Sequence, residues 1–115
     1  MGVPGWLLLT HDKENQACAF FVDAKETRGS EEVSVVLDDR LCSDTIIRVI
    51  RLNRDVFVCC DIWVLCGRNL HERLPYAKRL ETLNTILDTM HSPDLTALVT
   101  PDKLPVGTLL RGSEF

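Results

Sequence analysis

The sequence lacks the segments that take a chain into or across a membrane. No apolar run approaches the roughly 20 residues that a membrane-spanning helix needs. Residues 1–10 include three consecutive leucines, but they carry neither a basic region nor a small-residue cleavage site, so they do not form a signal peptide. We therefore expect an intracellular protein, cytoplasmic or nuclear, that makes no membrane contact.

The sequence also lacks the glycine-rich signatures of the common nucleotide-binding loops. It contains no Gly-x-x-x-x-Gly-Lys segment and no Gly-x-Gly-x-x-Gly segment. None of its serines lies in a Gly-x-Ser-x-Gly turn, which carries the nucleophile in many hydrolases. The P-loop and dinucleotide-binding classes are therefore disfavoured.

The five cysteines do not form a disulfide framework or an established zinc motif. Their number is odd, and no Cys-x-x-Cys pair is present. Cys59 and Cys60 are adjacent in an apolar run, where a strand would place them on opposite faces. The spacing of Cys59, Cys60, Cys66 and His71 fits no known zinc pattern. A reducing compartment and cysteines that act as small buried hydrophobic residues are favoured over a metal site.

Length and composition predict one small globular domain. The chain has 115 residues, which is too few for two domains. Hydrophobic residues make up 45 % and charged residues 26 %, as in ordinary globular proteins. The net charge of −4 argues against a basic nucleic-acid-binding domain, although a local basic groove is compatible with it.

The first half of the chain has the residue pattern of β-strands. We predict five strands, at 6–10, 17–23, 33–37, 46–52 and 56–65. The polar segments 11–16 and 53–55 are predicted to be hairpin turns. Asp61 alone interrupts the last strand, which is otherwise continuously apolar and so typical of a strand covered on both faces.

A helix is predicted after these strands. Its apolar stripe has spacings of three and four, at Leu74, Ala77, Leu80, Leu83, Leu87 and Met90. Gly67 and the polar link 68–73 separate it from the last strand, while Pro75 suits its first turn. We predict one long amphipathic helix at about 74–91, a short strand at 95–100 and an irregular segment at 101–115.

The predicted connections decide the fold class. Most of them are shorter than the dozen or more residues that a parallel crossover needs. The prediction is therefore an α+β fold, in which a mainly antiparallel sheet packs against the long helix on one face.

A few residues are candidates for chemistry. A carboxylate within an apolar strand, such as Asp61, must be paired or lie at a site. It either binds an arginine or a backbone N–H, or it lines a ligand cleft. Asp38 and Asp39 suit a turn better than a magnesium site.

The aromatic residues are predicted to lie in the core, although any one of them is also suited to stack on a base. These residues are Trp6, Phe20, Phe21, Phe57, Trp63 and Tyr76. The histidines, including His71, are predicted to lie on the surface.

Residues 56–83 carry a more specific pattern. An apolar strand ends in Asp61-Ile62, a turn follows at Gly67, and Leu74-Pro-Tyr-Ala-Lys-Arg79-Leu opens a helix. This order resembles the covalent nucleotidyltransferases, which include mRNA capping guanylyltransferases and ATP-dependent DNA and RNA ligases. Residues 1–41 show a weaker likeness, and the Phe-Val-Asp ending of the second strand resembles the capping branch more than the ligases.

The resemblance implies a function for an intact enzyme. Such an enzyme transfers a nucleoside monophosphate from GTP or ATP, through a lysine, to a phosphate end of RNA, with a divalent metal such as magnesium or manganese. Phe57 matches the strand that supplies a base-stacking aromatic residue, and Asp61 matches the strand-end acid. Both are therefore predicted to bind nucleotide. Whether the nucleotide is GMP or AMP stays open.

The departures from the family pattern limit what this chain is expected to do. The nucleophilic Lys-x-Asp-Gly motif would precede Met1 and is missing, and Arg40 stands where the family has a glutamate. Without that lysine no phosphoramidate forms. Residues 1–115 are therefore predicted to be a single partial domain with no catalytic residue, inactive alone. The alternative is a small α+β module that binds a protein partner or a second copy of itself, without nucleotide.

Overall fold

The computed structural model describes residues 2–25, 29–35, 44–52, 56–90 and 109–111. In these ranges the chain forms seven strands and two helices, in the order β1 Val3–His11, β2 Ala17–Asp23, β3 Ser30–Val33, β4 Thr45–Arg51, β5 Phe57–Leu65, β6 Arg68–Asn69, α1 Leu70–Arg73, α2 Tyr76–Met90 and β7 Leu109–Arg111. The mixed α+β class is confirmed, with strands as the larger part.

The strands form one sheet in the order β3-β2-β1-β4-β5-β6, with β7 also paired to β5. Adjacent strands along this path are antiparallel, whereas β7 runs parallel to β5. The predicted hairpin of β1 and β2 is confirmed, with Leu8 opposite Phe20 in the register. The predicted turn 53–55, the predicted strand 95–100 and the pair Asp38-Asp39 lie outside the described residues.

The single helix predicted at about 74–91 corresponds to α2, which begins two residues later, at Tyr76, and a separate short helix, α1, precedes it. Leu74 is extended, with φ −123° and ψ 142°, which is the conformation that a following proline imposes. Pro75 then separates α1 from α2. The polar link predicted at 68–73 contains α1, which begins where the Asn69 side chain accepts a hydrogen bond from the Glu72 backbone N–H at 3.2 Å.

Two predicted strands also differ from the structure. The strand expected at 33–37 begins earlier, at Ser30, because its pairing with β2 includes the exposed Glu31 and Glu32. The segment 101–115, expected to be irregular, contains β7, whose three residues are too few for a sequence pattern to indicate. Glu31 lies on an outer strand of the sheet path, where acidic side chains can face solvent.

The turn after β5 follows from its glycine. Cys66 and Gly67 have positive φ angles of 48° and 82°, and Leu65 pairs with Arg68 across them. Positive φ at both central residues matches the two-residue turn that suits the twist of a hairpin. The turn is held to β4, because Gly67 donates to the Asp44 carbonyl and Cys66 donates to the Thr45 hydroxyl.

Alternation along the strands divides the sheet into two faces. One face packs against the helices, and its core includes Leu7, Leu9, Ala19, Phe21, Ile47, Val49, Phe57, Cys59 and Ile62, with Leu83, Ile86 and Leu87 of α2. We call the other side the second face. Part of it is a smaller buried cluster of Val56, Val58 and Leu110. The half-buried side chains of this face include Trp6, Leu8, Phe20, Val22, Ile46, Arg48 and Ile50. None of the described helices is long and apolar enough to cross a membrane.

Helix α2 provides a direct test of how the core is built. Leu83 is fully buried and Leu80 is only partly buried. We expect Leu83→Ala to lower the free energy of unfolding by about 2–5 kcal/mol, since it leaves a cavity in a packed core. Leu80→Ala is the matched control, and it should cost less than half as much. Urea unfolding followed by circular dichroism measures both, and equal losses would contradict this placement of α2.

Candidate functional site

Asp61 is held by an arginine of helix α2. Its carboxylate accepts hydrogen bonds from Arg79 Nε at 2.9 Å, Arg79 NH2 at 3.0 Å and the Ile62 backbone N–H at 2.8 Å. Only 13 % of the Asp61 side chain and 11 % of the Arg79 side chain are exposed. The interpretation that Asp61 pairs with an arginine and a backbone N–H is therefore confirmed.

The environment of Arg79 completes this pair. Its third guanidinium nitrogen, NH1, donates to the Leu74 carbonyl at 2.8 Å, at the extended residue between the two helices. The hydrogen bonds to Asp61 raise the pKa of Arg79 above its ordinary value. The guanidinium thus remains charged at any physiological pH and ties the start of α2 to β5. Both oxygens of Asp61 are engaged, and its role toward a nucleotide stays a prediction.

Phe57 lies in the core on the helix side of the sheet. It is fully buried, and its ring centroid is 6.0 Å from that of Phe21. A base would have to displace core side chains to stack on this ring. The burial weighs against Phe57 as the stacking residue, although its nucleotide-binding role stays a prediction.

A group that the sequence did not indicate is centred on Trp6 and Arg48 of the second face. The Arg48 guanidinium carbon is 4.5 Å from the centroid of the Trp6 ring. Trp6 meets Trp63 edge to face at 5.5 Å, and Trp63 lies 4.7 Å from His71 at a tilt of 45°. We call these four residues the Trp6–Arg48 cluster. Strands β1, β4 and β5 and helix α1 each contribute one residue to it.

Irregular pairing of β4 with β5 contributes to this cluster. Two register shifts interrupt the ladder, where Cys60 and Trp63 are the residues without a Cα partner in β4. Such bulges redirect side chains relative to a regular strand. Trp63 thereby reaches Trp6, two strands away in the sheet order. The alternation of β4 indicates that Arg48 shares a face with apolar residues. The contacts with Trp6 and Trp63 depend on how β4 pairs with β1 and β5, and the sequence of β4 alone does not determine that pairing.

Two hydrogen-bond donors in the Trp6–Arg48 cluster have no acceptor. Trp6 Nε1 and Arg48 NH1 are both shielded from solvent and form no hydrogen bond in the described part of the chain. Asp61 is opposite Arg48 in the register, but its oxygens are bound by Arg79 and Ile62. A buried donor without an acceptor costs about 1–3 kcal/mol, so each of these atoms favours a ligand that accepts.

A groove lies beside the cluster on the second face. Its volume is about 380 Å³, and its lining includes Leu8, Phe20 and Ile46. At its rim the Thr10 hydroxyl donates to Asp44 Oδ1 at 3.0 Å. The groove is therefore largely apolar with one polar edge, and it is continuous with the half-buried side of the sheet.

The cysteines occupy different environments. Cys59 is in the core, Cys60 is half-buried and Cys66 is exposed. Burial raises the pKa of the Cys59 thiol. Burial also raises the pKa of the Cys60 thiol, and the positive charge of the nearby Arg48 partly offsets this rise. Among the residues that the structure describes, no three His, Cys, Asp or Glu side chains form a group suited to a metal ion.

Comparison with known proteins assigns no family. No protein-family model, curated protein or solved structure matches the chain. The resemblance to covalent nucleotidyltransferases stays a hypothesis.

The Asp61–Arg79 pair should contribute strongly to stability. We expect Asp61→Asn to lower the melting temperature by about 10 °C, because it leaves the arginine without its counter-charge in a largely buried position. Glu81→Gln is the matched control, since Glu81 forms a 3.5 Å pair with Lys78 at exposed side chains. Its effect should stay below about 3 °C. Thermal denaturation measures both, and similar shifts would contradict the importance of the Asp61 pair.

The cysteines should differ in their rates of alkylation. In the native protein Cys66 should react with iodoacetamide well before Cys59, because Cys66 is exposed whereas Cys59 is buried with a raised pKa. Peptide mass spectrometry over a time course measures the order. In denaturant the two rates should converge, and a native Cys59 that reacts as fast as Cys66 would show that β5 is not buried.

Proposed function

We propose that this chain is a fragment or non-catalytic derivative of an mRNA-capping-type nucleotidyltransferase and forms part of a nucleotide-binding cleft. The observation that carries the proposal is the Asp61–Arg79 pair. Asp61 belongs to the strand pattern that resembles the family, and Arg79 belongs to the Leu-Pro-x-x-x-Arg-Leu pattern. These residues are 18 apart in sequence, and their side chains meet at 2.9 Å. Both parts of the resemblance thus belong to one structural unit.

The second face supports the proposal independently of that pattern. It offers the half-buried rings of Trp6 and Trp63, and a guanidinium that makes no ion pair within the described residues. Aromatic ring faces suit a nucleobase, and a guanidinium suits a phosphate. A nucleotide on this face would meet both kinds of group without displacing the core.

In this proposal the chain binds a nucleotide but does not catalyse its covalent transfer. In an intact enzyme a lysine would take the nucleoside monophosphate from GTP or ATP and pass it to a phosphate end of RNA, with magnesium or manganese present. This chain lacks the Lys-x-Asp-Gly motif. Lys13 and Lys25 lie in exposed turns that follow β1 and β2, outside the position of the family nucleophile. The setting we propose is intracellular, where capping acts on RNA.

A second candidate function is a protein-interaction or dimerisation module. The observation that favours it is the apolar groove of about 380 Å³ on the second face. A partially exposed apolar surface of this kind is a common site of association between proteins.

Nucleotide binding and covalent labelling together test the proposal. We expect GTP and ATP to shift backbone amide resonances of β1, β4 and β5 with millimolar affinity, because only part of a cleft is present. Radiolabelled GTP should give no covalent adduct on a denaturing gel. Sodium chloride at matched ionic strength is the control for charge screening.

Two outcomes would contradict the proposal. An adduct would show that a lysine of this chain is the nucleophile, contrary to its assignment as non-catalytic. An absence of shifts at about 10 mM of either nucleotide would refute nucleotide binding. If the chain then runs as a dimer in light scattering, the interaction module is the better description.

A further inference from the structure

The second face contains a cation whose hydrogen bonds are incomplete. Arg48 lies over the Trp6 ring at 4.5 Å, so its charge is partly compensated by the aromatic face. Among the residues that the structure describes, its NH1 group nevertheless has no acceptor, and neither has Trp6 Nε1. The contact with Trp6 satisfies the guanidinium face but not its edge, where the N–H groups are.

The described residues around Arg48 do not supply the missing acceptor or negative charge. Asp61, the cross-strand neighbour of Arg48, already accepts three hydrogen bonds from other groups. Tyr76 lies near β5, but its hydroxyl donates to the Cys60 carbonyl at 3.2 Å. Within the portion of the chain described, Arg48 therefore has no carboxylate partner. An anion that accepts hydrogen bonds would supply both the charge and the acceptor.

The rings of the Trp6–Arg48 cluster add a second requirement. Trp63 is half-buried and His71 is exposed, and their ring centroids are 4.7 Å apart. They form the outer part of the cluster, beyond Trp6. A ligand that also carries a flat ring would gain contact with these two side chains, whereas a simple anion would not.

We propose that the Trp6–Arg48 cluster is the binding site for a nucleoside triphosphate, with Arg48 NH1 and Trp6 Nε1 donating to phosphate oxygens and Trp63 and His71 contacting the base. This inference rests on the proposed nucleotide-binding function and locates it on the second face, away from Phe57. Both donors are shielded from solvent in this structure, so the long, flexible Arg48 side chain has to move to expose them to a phosphate. Planar guanidinium groups bind phosphate through paired N–H donors, a geometry that lysine lacks.

The two tryptophans give a direct spectroscopic test. Nitrogen-15 spectra of this chain contain two indole N–H signals, one from each tryptophan, and Trp63→Phe assigns them. GTP should move the Trp6 indole signal downfield as its N–H gains an acceptor. Inorganic tripolyphosphate should produce the same direction of shift, but only at a concentration at least about fivefold higher, because it has no base to contact the rings.

Matched variants distinguish specific binding by Arg48 from a general effect of positive charge on the protein. Arg48→Lys keeps the positive charge but removes the planar donors, and it should raise the half-saturating GTP concentration at least about tenfold. Arg51→Lys is the control, because Arg51 is on the same strand, also lies over a ring at 5.2 Å from Phe21, and pairs with Glu31 at 2.7 Å. It should leave the half-saturating GTP concentration unchanged.

The outcomes distinguish this inference from the proposed function. If GTP shifts amide signals elsewhere but leaves the Trp6 indole unmoved, the nucleotide binds at another place and the cluster assignment is wrong. If tripolyphosphate acts at the same concentration as GTP, the rings play no part and the nucleoside assignment fails. If no signal moves, both this site and the proposed function are refuted. The wild-type titration decides these cases even where a variant does not fold.

Discussion

Asp61 is the only charged side chain of β5, and its carboxylate must find partners where little water reaches it. Arg79 and the Ile62 backbone N–H satisfy it, and NH1 of the same arginine satisfies the Leu74 carbonyl. A desolvated carboxylate would otherwise oppose folding of the strand. The pair therefore fixes where α2 begins relative to β5. Burial of Leu83, Ile86 and Leu87 on the first face follows from that placement.

With the helices on the first face, the second face is left with half-buried side chains. The bulges of β5 contribute to the meeting of Trp63 and Trp6, and Arg48 lies over the Trp6 ring. Polar groups in different parts of the structure therefore differ in whether their hydrogen bonds are satisfied. The Asp61–Arg79 pair satisfies its own hydrogen bonds, because both oxygens of Asp61 and all three guanidinium nitrogens of Arg79 have partners. On the second face, Trp6 Nε1 and Arg48 NH1 have no acceptor among the described residues, and a buried donor without an acceptor is costly.

Local sequence patterns predicted most of the fold. Runs of apolar and β-branched residues located β1, β2, β4 and β5, and Gly67 marked the turn at which its φ is positive. The predicted helix began two residues too early because its apolar stripe was counted from Leu74, although a proline favours an extended conformation in the residue before it. One of the two interpretations of Asp61 was that it binds an arginine or a backbone N–H, and the structure supplies both, from Arg79 and Ile62. The Trp6–Arg48 cluster was not predictable, because its members come from four elements and meet only through the sheet register and its bulges.

The family resemblance and the proposed Trp6–Arg48 site would place a nucleotide on different sides of the sheet. The resemblance selects Phe57 because it matches a strand that supplies a stacking ring, but the alternation of β5 turns that ring into the core. A strand places neighbouring side chains on opposite faces, so a shift of one residue in such a match moves the predicted contact to the other side of the sheet. Cys60 and Trp63 are the residues of β5 at which the pairing shifts. A nucleotide that contacts this strand is therefore better placed on the second face, where rings and a guanidinium are within reach.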